Sequence, residues 1–152
     1  MKATHSTLNI ITLFEGLRTK AYKDSVGIPT IGIGTIQYPD GTKVKIGDVC
    51  TEEQAFNFLE YEVNKKVQGL DKVLAGVNLN ENQCSAIISL TYNIGLKGFS
   101  DSIVCKLIKA NPLDPNIKDA WLSWNKVTIN GKKEVNKGLM NRRKREYQLY
   151  CA

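Results

Sequence analysis

The chain has a single histidine in 152 residues, His5, and it stands in a polar N-terminal stretch. A Ser-His-Asp or Cys-His enzyme, or a histidine-liganded metal centre, would have to use that one residue at a chain end prone to fraying. The four cysteines, Cys50, Cys84, Cys105 and Cys151, are widely spaced and none forms a C-x-x-C pair, so the usual Cys/His zinc sites are excluded. Cys84 and Cys105 fall on apolar helical faces and read as buried thiols, and free thiols are expected ahead of disulfides. No apolar run approaches the roughly 18 residues that span a membrane. The short patch from Leu8 to Phe14 has neither the length nor the cleavage site of a signal peptide, so no export signal is expected. Internal repeats, low-complexity tracts and linkers are missing too. Chemistry here has to rest on carboxylates, hydroxyls and bound water.

What is present is a globular composition, 42% hydrophobic, in a length that suits one domain. The net charge is +6 and is unevenly placed. Residues 126–152 hold eight basic and two acidic residues, among them Arg142, Arg143, Lys144 and Arg145, while the rest of the chain is balanced. Such a segment attracts nucleic acid, acidic membrane or an anionic wall polymer, and its commonest plain role is a solvated helix face.

A first helix is expected from about Thr7 to Leu17, burying Ile10, Leu13, Phe14 and Leu17. Residues 20–46 change character: Gly27, Pro29, Gly32, Gly34, Pro39 and Gly41 break helices, and Ile31, Ile33, Val44 and Ile46 suit strands. This reads as a small antiparallel sheet. Thr51-Glu52-Glu53-Gln54 is a capping box opening a helix to about Gln68, and Asn80-Glu81-Asn82-Gln83 opens another, with Gly95 placed to end it. Ser100 is the expected cap of a helix carrying Ile103, Val104, Leu107 and Ile108. A short helix around Ile117, Ala120 and Trp121, a loop with Asn130-Gly131 and a basic final helix complete the chain. Tyr92, Trp121 and Trp124 read as core residues. One early sheet with helices elsewhere defines an α+β fold, mainly helical and two-lobed.

Glu15-Gly16 at a helix end, Tyr22 and Asp24 at the sheet entry, and Thr30-Ile31-Gly32-Ile33-Gly34 form the informative block. Glycosidic cleavage needs an acid to protonate the leaving oxygen, and negative charge or a placed water on the opposite face of the sugar. By spacing alone this is one Glu–Asp pair among many. The block, however, resembles the catalytic signature of the phage lysozymes, or endolysins, of glycoside hydrolase family 24. Tyr92-Asn93-Ile94-Gly95, Gly98-Phe99-Ser100, Trp124 and Gly138-Leu139-Met140-Asn141-Arg142-Arg143 resemble later parts of the same family in the same order. One departure stands out: Thr35 follows the Gly-x-Gly turn, where many members carry histidine.

The resemblance implies a lysozyme fold in a single domain, 1–152, with a small β lobe over about 18–50, a linking helix over about 51–69, and a helical lobe over about 70–152 plus the N-terminal helix, the cleft lying between lobes. It implies that Glu15 is the general acid, that Asp24 stabilises positive charge on the sugar and helps place water, and that Thr30 holds that water. Gly34, Tyr92, Asn93 and Trp124 are expected to meet substrate, and Arg142 to support Glu15. A placed water implies inversion at the anomeric carbon, with carboxyl groups roughly 6.5–9.5 Å apart against ~5 Å for retention. No metal or organic cofactor is implied. The expected partner is bacterial peptidoglycan, cut at the β-1,4 bond between N-acetylmuramic acid and N-acetylglucosamine. Nucleic acid and stable membrane insertion are not expected, and the enzyme is expected to be a monomer held in the host cytoplasm until a holin-like pore releases it. Two other classes remain open at this point. A lytic transglycosylase would need one acid and no water. A basic protein that disrupts walls or membranes would need no Glu15 at all.

Overall fold

The structure, a computed structural model, describes residues 1–152. The order of elements is α1 (His5–Glu15), β1 (Arg18–Lys23), β2 (Pro29–Gly32), α2 (Glu52–Val73), α3 (Glu81–Ile94), α4 (Leu96–Ser100), α5 (Ile103–Ala110), α6 (Ile117–Leu122), β3 (Lys126–Ile129), β4 (Lys132–Val135) and α7 (Lys137–Cys151). The chain divides into two compact units, one made of Leu8–Lys65 and the other of Met1–Thr7 with Lys66–Ala152.

In the first unit α1 stops because Gly16 adopts φ 74° and sends its N–H back to the Thr12 carbonyl at 2.9 Å. This is a glycine helix stop, and it leaves Glu15 as the last helical residue. The helix buries Thr7, Ile10 and Ile11, whereas Leu13 is 66% exposed. The expected face is therefore corrected: Leu8 to Phe14 is so rich in apolar residues that two helical faces fit the same spacing. β1 pairs antiparallel with β2, setting Tyr22 opposite Thr30 and Lys23 opposite Pro29. Ile31 of β2 and Thr35, just beyond it, exchange both backbone hydrogen bonds, at 2.9 and 3.0 Å. The turn between them closes through Gly32 and Gly34, both at positive φ. A Cβ on Gly32 would lie 3.1 Å from the Ala55 Cβ, so this glycine lets the turn rest on α2. Val44 is buried and bonds its N–H to Ile36, while Ile46 is exposed and outside any strand.

The second capping box and the first both form. Thr51 and Gln54 exchange side-chain-to-backbone bonds of 2.9 and 3.0 Å, and Asn80 and Gln83 do the same at α3. Each such cap contributes about 1 kcal/mol. α2 continues past Gln68 to Val73. In the larger unit α3 is the central helix, with Gln83 to Thr91 buried without a break, and it packs on α7. The cap of α5 is Ser102, not Ser100: the Ser102 hydroxyl accepts from the Cys105 N–H at 3.0 Å, and Ser100 ends the short α4. Trp121 of α6 is fully buried against Tyr150, their rings 5.3 Å apart. Cys84 and Cys105 are buried, and all four thiols are free.

One element differs in kind from expectation. Residues 126–135 form a second antiparallel pair, β3–β4, turning at Asn130 (φ 50°) and Gly131 (φ 78°). An Asn-Gly pair at positive φ is the favoured two-residue hairpin turn. The backbone N–H of Asn136 donates to the Asn125 carbonyl at 2.8 Å and closes the hairpin's base.

Candidate active site

Glu15 lies against the glycine turn of its own unit. A Cβ built on Gly34 would come within 2.9 Å of the Glu15 carboxyl carbon and closer still to its Oε2. Gly34 thus has two reasons to lack a side chain, its φ of 71° and the space Glu15 occupies.

Asp24 and Thr30 are brought together by one residue between them. The Ile28 N–H donates to Asp24 Oδ1 at 2.8 Å, and the Val26 N–H adds a second bond at 3.0 Å. The Ile28 carbonyl accepts from the Asp24 N–H at 3.0 Å and from the Thr30 hydroxyl at 2.9 Å. Asp24 Oδ1 is therefore committed to the backbone and Oδ2 is left available. The Thr30 hydroxyl spends its proton on Ile28, so its remaining capacity is as an acceptor. Thr30 is almost fully buried and Asp24 half-buried. A carboxylate oxygen and a hydroxyl lone pair held by the same residue suit a water molecule that must give up a proton.

Tyr22, paired with Thr30 across the sheet, senses the same charges. Burial pushes its hydroxyl pKa up, and the carboxylates of Glu15 and Asp24 push it further, while Arg18 opposes them. The Arg18 guanidinium sits 4.3 Å from the centre of the Tyr22 ring.

The remaining expected residues belong to the helical unit. Tyr92 and Trp124 are half-buried, and the Trp124 ring packs on Gly98. Asn93 is exposed at the end of α3, and its Oδ1 accepts from the Arg143 guanidinium at 2.7 Å. Arg142 and Arg143 are buried, unlike the solvated face that is the plain reading of the basic segment as a whole. The cause is Glu146, itself fully buried. Arg142 Nε lies 3.3 Å from its Oε2 and Arg143 Nε 2.9 Å from its Oε1. Ser89 donates to the same carboxylate at 2.6 Å and Trp121 Nε1 at 3.3 Å, and Arg142 also reaches the Ser89 carbonyl at 3.3 Å. Two cations and one anion are tolerable inside a protein only with such pairing.

Sequence reasoning missed Glu146 and Ile28. Glu146 left a signal, being the only acid in α7 and standing three and four residues after the two arginines, a spacing that places all three on one helix face. Ile28 left none, because its contribution is made by its peptide groups.

The Leu8–Lys65 unit thus holds a carboxylate at a helix end beside a glycine turn, a second carboxylate just past β1 and a hydroxyl on β2, the groups expected of an α+β glycoside hydrolase. The comparisons with known proteins agree. The model of the family described as phage lysozyme matches residues 12–146. The endolysin of Acyrthosiphon pisum secondary endosymbiont phage 1 is 36% identical over 151 residues, covering 99% of this chain and 98% of that one. The endolysin of Salmonella phage P22 is 38% identical over 138 residues, covering 91% and 90%. Among solved structures, an endolysin from Escherichia coli O157:H7 phage FAHEc1 superposes with a TM-score of 0.90 at 42% identity, over 99% of this chain and 93% of that one. The chain belongs to the phage lysozyme family and is a peptidoglycan-lysing hydrolase of the endolysin type.

Proposed function

We propose that this hydrolase cuts the β-1,4 bond between N-acetylmuramic acid and N-acetylglucosamine with inversion, Glu15 acting as general acid and Asp24 with Thr30 holding the attacking water. The observation that carries this reading is the shared clamp on Ile28, which leaves Asp24 Oδ2 and the Thr30 oxygen as acceptors. A water between them can lose one proton to the carboxylate as it attacks the anomeric carbon. The leaving oxygen takes its proton from Glu15, and the two carboxyls exchange protonation with solvent before the next turnover. Gly34, Tyr92, Asn93 and Trp124 contact the glycan in this reading, and Arg142 is the supporting cation. No cofactor enters any step. No helix is long and apolar enough to cross a membrane. The enzyme is taken as a monomer that waits in the host cytoplasm and meets the wall after a holin-like pore opens.

The test is Glu15→Gln on purified peptidoglycan. It keeps the shape and removes the transferable proton, and the expected loss is roughly 10²–10⁴-fold. More than a tenth of wild-type activity in folded protein would overturn the assignment. Arg142→Ala should lose activity by a smaller factor. Inversion is read separately, from the anomer of the first reducing end by NMR: the α-anomer supports it and the β-anomer refutes it.

A further inference from the structure

Arg18 is the only arginine of the Leu8–Lys65 unit, and it opens β1 three residues after Glu15. Opposite it on β2 stands Gly32, which has no side chain to cover it. The guanidinium lies 4.3 Å from the centre of the Tyr22 ring, further along the same strand. Tyr22 pairs with Thr30, and residues directly opposed across an antiparallel ladder point to the same face. Arg18 is thus stacked on the ring that shares a face with Thr30. The Tyr22 hydroxyl feels the charges of Glu15, Asp24 and Arg18 together, so the guanidinium stands at the edge of the site that holds the two carboxylates. What the stack leaves open matters most. A guanidinium carries five N–H donors, all in its plane. Stacking occupies its face and none of those donors. Arg18 is exposed, and it forms no hydrogen bond or ion pair within the protein. Its fork is therefore oriented by the ring and unspent.

We propose that Arg18 binds a carboxylate carried by N-acetylmuramic acid, and that Tyr22 is the residue that positions it. This rests on the reading of the chain as a hydrolase of that glycan. The two alternating sugars of the strand differ in one group. N-acetylmuramic acid bears a lactyl ether that ends in a carboxyl, and in the intact wall that carboxyl is joined to a peptide with carboxylates of its own. A planar fork matches a carboxylate with two parallel bonds and full charge, whereas a sugar hydroxyl gains little from the charge. A guanidinium fixed beside Glu15 and Asp24 therefore tells one sugar from the other. It sets which of the two alternating β-1,4 links comes to rest at the reacting carboxylates.

The decisive variant is Arg18→Gln, assayed on glycan strands that keep their peptides and on strands stripped of them, so that the lactyl carboxylate is free. Each strand type is also assayed after its carboxyls have been converted to amides. The expected result is a KM about tenfold higher on unmodified strands with kcat little changed, and no loss on amidated strands, where the wild type has already lost the contact. A loss confined to peptide-bearing strands assigns the contact to the peptide, and one confined to stripped strands assigns it to the lactyl group. Arg18→Lys keeps the charge without the fork and should lose less than Arg18→Gln. Tyr22→Leu removes the ring face and should narrow the KM gap between amidated and unmodified strands, and Tyr22→Phe, which keeps the ring, should restore that gap.

An equal KM rise on unmodified and amidated strands would overturn the proposal, by leaving Arg18 a structural part alone. An unchanged KM on every strand would overturn it as well. So would a fall in kcat with a shifted pH–rate profile on all strands alike, which would make Arg18 a charge acting on Glu15 and Asp24 and not on the substrate. Wild-type protein that cleaved none of the strands would sink the hydrolase reading instead. Equilibrium binding of unmodified and amidated strands to wild type and to Arg18→Gln would then still decide the role of Arg18: a preference for unmodified strands that the variant loses supports it, and equal binding throughout refutes it.

Discussion

The two compact units hold their important side chains by opposite means. In the Leu8–Lys65 unit the backbone does it for Asp24 and Thr30, which are both tied to peptide groups of Ile28. In the helical unit buried charge does it: Arg142 and Arg143 are held by Glu146 rather than by any turn. The difference suits the work. Peptide N–H groups on Asp24 Oδ1 fix that carboxylate and leave its Oδ2 open, whereas the buried guanidinium groups, which do not titrate, need a buried anion beside them.

The comparison predicts where damage appears. The largest effect should come from Glu146→Gln, which leaves two guanidinium groups buried without their anion. Unfolding in urea should show a loss of roughly 3–5 kcal/mol, as for other broken buried pairs, and a loss under 1 kcal/mol would mean the network is not a support. Next comes Gly34→Ala, expected to act on rate more than on stability. Its Cβ would drive the Glu15 carboxyl aside, and misplacement of about 1 Å can cost ~100-fold. Gly41→Ala is the control, because Gly41 also has positive φ but nothing lies within 4 Å of its Cβ position. Equal kinetic losses in the two variants would put the effect on backbone strain and remove Glu15 from the explanation.

A smaller effect is expected at Tyr38, whose hydroxyl donates to Asp48 at 2.7 Å. Burial, then this bond, push its pKa up to about 12 from 10. A tyrosine with a raised folded value contributes stability that is complete below its unfolded pKa and disappears as pH rises through the folded one. The stability gap between wild type and Tyr38→Phe should therefore close between about pH 10 and 12, and a gap constant across that window would refute the linkage. The smallest effect concerns Thr35. Its hydroxyl is buried without a hydrogen-bond partner. Thr35→Val should raise stability by up to about 1 kcal/mol, seen as a melting point a few degrees higher at most. A clear drop would reveal a buried water serving that hydroxyl.

Much of the fold was legible because it is written in local chemistry. Both capping boxes, Gly95 at the end of α3 and the buried face of α3 are short-range patterns that sequence carries directly, whereas α1, expected to reach Leu17, stops at Glu15. The Glu15, Asp24 and Thr30 block was legible through family resemblance, since a Glu–Asp pair has no distinctive spacing. What escaped did so for physical reasons. The β3–β4 strands, Lys-Val-Thr-Ile and Lys-Lys-Glu-Val, have no buried face, and without one there is no alternation to read. Leu13 and Ile11 compete for one helical face, and burial chose the isoleucine. Arg142 and Arg143 stand in a run of four basic residues; Arg142 is expected to support Glu15, and the buried Glu146 that both arginines meet has no part in that reading.

The Ile28 clamp has a consequence for how such a site can change over time. The side chain at 28 is 42% exposed and takes no part in the clamp. Almost any residue can stand there, so the position is free to drift while the geometry it enforces is inherited intact. Proline is the exception, because it would delete the N–H that holds Asp24. Two chains could then share this water-holding arrangement and have nothing alike at the position that builds it. Its signature would be a forbidden residue, not a required one.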